Sequence, residues 1–336
     1  MQDKVMKFTE TIGIDVSKHT IDAYIHTAKK HKCFKNNNSD FTKMIKWVKD
    51  NTGFPLSEHL YAFEHTGLYS FALSVFFTEK DISYLLIPGL ELKRSLGIAR
   101  GKDDMIDAKA IALYAYRRRD EIKPYKLPSK HLLEIRRLLS LRDKLVKQRA
   151  GFKATNKEIK DHLSKKDNAT YFKVHENMIT HLSKEIADVE KQLRSIINND
   201  MKLNELFKLI TSIKGVGEQT ALFMIAYTNA FTMFDNARKF ASYAGIAPFP
   251  YKSGISVHGR TKVNQFANKK FKSLLSNCAT SALNCNAEIR LYYERRIREG
   301  KDKMSTINIL RNKILGRIFA VVQRGTPYVD TFAYAA

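Results

Sequence analysis

The chain is poor in cysteine, lacks any long apolar run, and carries too little acid for its base. Only Cys33, Cys278 and Cys285 occur in 336 residues. They form no C-x-x-C pair and have no His-x-x-x-His companion, which excludes a recognisable zinc site and points to ordinary reduced thiols. No stretch is apolar for long enough to span a bilayer, and no terminal anchor motif is present, so a membrane partner is not expected. The opening MQDKVMKFTE lacks the charged-then-apolar order of a secretory signal. With cysteine so sparse, a reducing compartment is expected: the cytoplasm and, in a bacterium, the nucleoid. No internal repeat or low-complexity segment is visible.

The shortage of acid is the stronger statement. Lysine and arginine number 58 against 34 acidic residues, a formal net charge of +24. Such an excess repels itself unless a polyanion neutralises it, so nucleic acid is the natural partner. At 44% hydrophobic content over this length, the chain has material for more than one core, and at least two domains are expected.

The first hundred residues alternate short β-branched runs with amphipathic segments. Residues 9–16 and 20–26 read as strands joined by a polar turn at Ser17, Lys18 and His19, a hairpin signal. A third strand is expected near Lys32–Lys35. An amphipathic helix carrying Phe41, Met44, Ile45 and Val48 follows, capped by Asn38, Ser39 or Asp40. A strand at Leu60–Glu64, a helix over Tyr69–Glu79, a strand at Tyr84–Ile87 and helices through Arg119 complete the order β-β-β-α-β-α-β-α. That order predicts an α/β sheet with an antiparallel hairpin beside parallel strands.

From 129 to 200 the only glycine is Gly151 and proline is absent. Leu138, Leu141, Leu145, Phe152 and Ile159 recur at three- and four-residue steps, as do Leu182, Ile186, Val189, Leu193 and Ile196. Two long helices forming a hairpin or coiled coil are expected, turning near residues 165–170 and serving as a spacer or dimer contact. Beyond Leu203 lie the glycine-bearing LITSIKGVGEQTALFMIA, then FASYAGIAPFPYKSG, then basic helices.

Four carboxylates stand out by position. Asp15 ends the first expected strand and Glu64 ends another, so both emerge at one edge of the sheet. Asp104 and Asp107 are three apart, so on a helix they share one face about one 5.4 Å turn apart. Each acid alone has a structural explanation, as a turn cap, a surface residue or a helix N-terminal charge. Together their order and placement favour Mg²⁺ or Mn²⁺. Two such ions, roughly 3.5–4 Å apart, support phosphoryl transfer.

GIDVSK, the glutamate of FEHTGLY and the K-x-D-x-x-D-A-x-A-I-A run from Lys102 to Ala112 resemble the N-terminal domain of the DEDD insertion-sequence transposases. This is the one-ten family, whose members act as bridge-RNA-guided recombinases. I-x-G-V-G-x-x-T-A, F-A-S-Y-A-G-I-A-P and K-S-G resemble that family's C-terminal transposase domain. The resemblance covers both ends of the chain.

It implies a ribonuclease-H-like catalytic domain at 1–125, similar to Holliday-junction resolvases, a helical linker at 126–202 and a mainly helical transposase domain at 203–336. The fold class is therefore α/β plus all-α. Asp15, Glu64, Asp104 and Asp107 are implied as the metal quartet, with Asp103 set aside as preceding the D-x-x-D spacing. Ser253 in PYKSGISVHG is implied as the nucleophile that joins covalently to DNA; Ser256 competes, and Lys252 or His258 could assist. Without the resemblance, Ser253 reads simply as a loop serine. DNA, a guide RNA, and a homodimer that can reach a tetramer on DNA are the implied partners, with acids and serine able to come from different subunits.

IKGVGEQTA also reads as a helix-hairpin-helix turn. In such a turn Lys214, Gly215 and Gly217 would bring backbone N–H groups to phosphate, although a plain interhelical turn accounts for the same residues. Arg117 and Arg118, with Arg119, follow the acid-bearing helix and are candidate phosphate contacts, while Tyr243, Phe249 and Tyr251 are candidates for base stacking. Two other functions fit part of the pattern. An actin-like ATPase or sugar kinase has a similar first loop, but this chain has no second glycine-rich phosphate loop. A non-enzymatic nucleic-acid-binding protein would bind without cleaving.

Overall fold

The computed structural model describes residues 8–95, 103–121, 123–160, 162–253 and 257–330. Its contacts divide the chain into two compact units, Met1–Leu127 and Pro128–Ala336.

The first unit is built on a five-stranded sheet of β1 (Glu10–Val16), β2 (Thr20–Ile25), β3 (Lys30–Lys35), β4 (His59–Glu64) and β5 (Tyr84–Ile87). The spatial order is β3-β2-β1-β4-β5. The three-residue turn at Ser17–His19 makes β1 and β2 an antiparallel hairpin, whereas β1–β4 and β4–β5 are parallel. Strand alternation then assigns the two faces. Ile12, Ile14, Ile21, Ile25, Tyr61 and Phe63 pack with Phe41, Met44 and Val48 of α1 (Asn38–Asn51) and with Leu73, Phe76 and Phe77 of α2 (Leu68–Glu79). The cap of α1 is Asn37, whose side chain accepts from Asp40 N at 3.0 Å. This is one residue earlier than the sequence suggested, because Asn38 already has helical geometry.

The opposite face belongs to α3 (Gly89–Ser95) and α4 (Asp104–Arg118). Leu60 and Ala62 meet Leu92, Ile111 and Ala115 there, while Tyr24 meets Ala108 and Ala112. The closest approach is at Gly13, where an added Cβ would lie 2.1 Å from Ala108 O and 2.3 Å from Ala112 N. Glycine at position 13 therefore lets α4 lie directly on the sheet. Thr11 Oγ1 donates to Ala112 O at 3.0 Å and fixes the helix along the strand.

Among the described residues, the regular elements of the second unit are helices and one hairpin. The unit comprises α5 (Lys130–Lys160), α6 (Ala169–Asn199), α7 (Met201–Thr211), α8 (Glu218–Tyr227), α9 (Ala237–Tyr243), α10 (Lys269–Cys285), α11 (Ala287–Arg298) and α12 (Lys303–Arg324). Strands β6 (Pro248–Ser253) and β7 (Val257–Val263) pair antiparallel between α9 and α10. The segment read as a loop is thus a β-hairpin. α8 is the central helix, buried from Thr220 to Ala226.

The long helices α5 and α6 fold back on one another, joined by Arg142 Nε to Glu190 Oε1 at 2.7 Å and Arg149 Nη1 to Ser183 Oγ at 3.2 Å. The expected α6 stripe is inward, with Leu182, Ile186, Leu193 and Ile196 buried, but Leu141 of the α5 stripe is 44% exposed. Leu132, Ile135 and Leu139 enter the core of the helical unit with Leu193, Ile196 and Ile197 of α6, and further along α5 Asp143 reaches Lys270 of α10 at 2.7 Å while Arg142 and Arg149 hold α6.

Candidate active site

Asp15 is the penultimate residue of β1 and Glu64 the last of β4. Ile14 pairs with Phe63 in parallel register, so one step further along Asp15 and Glu64 lie side by side at the carboxyl edge of the sheet. Both fall on the α4 face, since Gly13 and Ala62, two residues earlier, pack against that layer. Asp104 and Asp107 occupy the first turn of α4. Asp103 is the N-cap of that helix, its Oδ1 accepting from Met105 N at 3.2 Å, so it has a local structural task of its own.

Electrostatics join three of the four. Burial, followed by repulsion from Asp104, Asp107 and Asp22, pushes the Asp15 pKa up from 3.8 to about 6. No ion pair is recorded for Asp15, Glu64, Asp104 or Asp107 among the described residues. Glu64 lies against Gly89, where an added Cβ would meet its Oε1 at 2.0 Å. Glycine there leaves room for the carboxylate. Among the described residues, no three His, Cys, Asp or Glu side chains converge closely enough to hold a metal ion. The acids share an edge without a closed coordination shell.

Asp22 was not singled out by sequence reasoning. It pairs directly with Asp15 across the β1–β2 ladder, is 8% exposed, and is held by His31 Nε2 at 2.8 Å and Cys33 Sγ at 3.6 Å. The signal was present in the hairpin. A three-residue turn after Val16 sets Val16 opposite Ile21, and therefore Asp15 opposite Asp22.

In the second unit, Ser253 is the last residue of β6, with its backbone opposite Val257. The side chains of Lys252, Ser253 and His258 lie outside what is described, as do Gly254, Ile255 and Ser256. Phe249 and Tyr251 of the same strand are 42% and 65% exposed. Lys214 pairs with Asp330 at 2.7 Å. Gly215, at φ +92°, leaves no space for a Cβ against Ala282 of α10, so it serves a close packing between helices. Gly217 is the N-cap of α8. Arg118 pairs with Glu91 at 2.7 Å, Arg119 stacks on Tyr116 at 3.9 Å, and Arg117 is exposed.

Comparison with known proteins connects the two units. The DEDD transposase model of the IS110 group matches residues 12–166, and the transposase model of the IS116/IS110/IS902 family matches residues 207–294. The chain is similar to the pilin gene-inverting proteins of Moraxella bovis and Moraxella lacunata. Each is 26% identical over 327 residues, covering 94% of this chain and 97% of the relative. An uncharacterised 43.6 kDa protein of insertion element IS110 from Streptomyces coelicolor is 29% identical over 154 residues, covering 45% of this chain and 38% of that protein. Both ends of the chain carry domains of one family, and the chain belongs to the IS116/IS110/IS902 family of transposases.

Proposed function

We propose that the protein cuts and rejoins DNA by phosphoryl transfer, with Asp15, Glu64, Asp104 and Asp107 holding two divalent cations and Ser253 as the nucleophile. The observation that carries this reading is the gathering of Asp15, Asp104 and Asp107 within reach of one another's charge, at a sheet edge shared with Glu64 and in a strongly basic chain. The donor set is all oxygen, which suits Mg²⁺ or Mn²⁺. Bound there, such ions ease ionisation of the attacking hydroxyl and stabilise charge on the leaving oxygen.

Asp15 and Glu64 provide rigid donors from adjacent strands, and α4 brings Asp104 and Asp107 over the same edge. Asp22, held across the ladder by His31, adds negative charge beside Asp15. Ser253 Oγ forms a bond to phosphorus as one deoxyribose oxygen leaves and the serine proton passes to a base. The displaced strand's hydroxyl, or that of a new partner strand, reverses the step. The phosphodiester energy is kept in the serine ester, so rejoining needs no nucleotide cofactor. A guide RNA that pairs with donor and target, and dimers that assemble into tetramers on DNA, complete the proposal. Sequencing the nucleic acid that copurifies with the protein tests the RNA, and mass measurement of the DNA complex tests the assembly.

The chemistry is tested by trapping the reaction on a nicked suicide DNA, digesting the complex and locating the modified residue by mass spectrometry. The adduct is expected on Ser253. Ser253→Ala should bind DNA and form none, Ser256→Ala should retain it, and Asp15→Asn should bind DNA and lose cleavage by at least about a thousandfold. An adduct on Ser256, or efficient strand exchange by Ser253→Ala, overturns the assignment.

A further inference from the structure

Among the described residues of the first unit, six large apolar side chains are exposed: Leu56, Leu68, Tyr69, Leu90, Met105 and Ile106. Single exposed apolar residues are ordinary on a protein surface, but these are not scattered. All except Leu56 stand in the first turn of α2, α3 or α4. Those turns meet the carboxyl edge of the sheet: α2 follows β4 and Glu64, α3 follows β5, and α4 begins with Asp104. Apolar side chains therefore border the four acids.

Leu68 is the extreme, 85% exposed, and its backbone is held by a closed set of hydrogen bonds. His65 N–H donates to Ile87 O at 3.0 Å, and Thr66 N–H donates to Glu64 O at 3.0 Å and to Ser70 Oγ at 3.2 Å. Ser70 Oγ in turn donates to Gly67 O at 3.3 Å. Asn36 Nδ2 donates to Tyr69 O at 3.1 Å and to Ser17 O at 2.8 Å, which ties the start of α2 to the β1–β2 turn that follows Asp15. Tyr69 lies one helical turn before Leu73, on the same side of α2. Leu73 is buried in the core, whereas Tyr69 is exposed.

We propose that Leu68 and Tyr69 open the base stack of the DNA strand at the scissile step, Leu68 wedging between neighbouring bases and the Tyr69 ring receiving the face of a base so freed. The inference rests on the phosphoryl-transfer reading above, since a phosphate held by the acids brings its two flanking bases to the side chains that border them. An apolar wedge replaces one base's contact with the next, and a tyrosine ring stacks on any base. An opened step frees the phosphodiester from the regular helix, so that attacking and leaving oxygens can be brought into line. A protein partner is the poorer occupant. Seated here, it would cover the edge by which the phosphate must enter and bury carboxylates that have no cation.

The probes are two DNA duplexes of one sequence, fully paired or with a two-base mismatch at the centre, and Ca²⁺ replaces Mg²⁺ while binding is measured. Opening paired DNA costs stacking that the mismatch has already lost, so wild-type protein should bind the mismatched duplex about tenfold more tightly. Leu68→Ala with Tyr69→Ala should bind both alike. With Mg²⁺, that double variant should lose strand cleavage about a hundredfold on paired DNA and recover it on the mismatched duplex. A 4-thiothymine at the mismatch should cross-link to the peptide carrying Leu68 and Tyr69. Equal binding of the two duplexes by wild type, or cross-links confined to other peptides, overturns the wedge and leaves the phosphoryl-transfer reading standing. A loss of cleavage that the mismatch does not restore also overturns it and marks the pair as structural. Failure of wild type to bind or cut either duplex overturns both readings. A wild-type dimer that the double variant dissociates assigns the patch to a second copy and overturns the wedge. If the double variant fails to fold, Leu68→Gln, which keeps the length of the side chain but not its apolar character, takes its place.

Discussion

The two units treat their carboxylates in opposite ways. In the helical unit, four acids at helix contacts are matched: Glu190 to Arg142 at 2.7 Å, Glu218 to Arg194 at 2.8 Å, Asp143 to Lys270 at 2.7 Å and Glu288 to Arg317 at 2.5 Å. At the edge of the sheet, Asp15, Asp104 and Asp107 face one another with no ion pair recorded among the described residues. A chain with 58 basic residues does not lack cations, and the same unit places Arg118 on Glu91 at 2.7 Å. Unmatched charge that costs stability is a mark of a site arranged for something other than folding.

The comparison breaks most completely at Gly13. An alanine Cβ there would collide with backbone atoms of Ala108 and Ala112, at 2.1 and 2.3 Å, so α4 must move and take Asp104 and Asp107 with it. Gly13→Ala should destabilise the first unit by about 3 kcal/mol. The single tryptophan, Trp47, packs edge-on against Phe34 in that unit, so its fluorescence during urea unfolding follows the sheet alone. An unchanged midpoint would show that the close approach is not what positions the acids.

Asp15→Asn should act in the other direction. The folded pKa of Asp15 is about 6 and its ordinary value is 3.8. Between those values the folded protein holds a proton that the unfolded chain has released, so stability falls as pH rises through the window and stays lower above it. Asparagine removes that loss. The variant should be more stable than wild type by about 1–2 kcal/mol at pH 7.5, after allowing for solvent screening, with the gain shrinking towards zero near pH 4. A gain equal at both pH values would mean that ionisation of a buried, repelled Asp15 is not its cause.

Much of this edge was legible in the sequence, for a physical reason. Strand alternation and the D-x-x-D helix spacing are local, so they place Asp15, Glu64, Asp104 and Asp107 before any tertiary contact is known. Asp22 was not legible in the same way, because inside TIDAYI it looks like the polar beat of an alternating strand. Its meaning comes from cross-strand register, a pairing between residues rather than a pattern along them. The β6–β7 hairpin escaped for the opposite reason. PFPYKS and VHGRTKV are basic and turn-rich, without the apolar alternation that marks a half-buried strand. Asn37 displaced the expected cap of α1 by one residue, within the usual uncertainty of helix ends. Leu141, on the expected stripe of α5, is exposed because the buried stripe of that helix runs through Leu132, Ile135 and Leu139 instead.

The smallest effect belongs to the matched pairs, and its sign completes the comparison. Arg142 and Glu190 join α5 to α6 with side chains 20% and 30% exposed, so Arg142→Met should destabilise the helical unit by about 0.5–1 kcal/mol. Arg194 and Glu218 are 58% and 47% exposed, and Arg194→Met should cost less, since water already screens that pair. Far-UV circular dichroism in urea follows the helices, where Trp47 is silent. Salt then tests both units with one variable. Raising ionic strength should shrink the loss in Arg142→Met, an attraction removed, more fully than the gain in Asp15→Asn, because burial contributes more to that gain than the screened repulsion from Asp104, Asp107 and Asp22 does. If the Arg142→Met loss persists undiminished in high salt, that arginine contributes packing of its aliphatic stem rather than charge, and the contrast between matched and unmatched acids is narrower than the distances suggest.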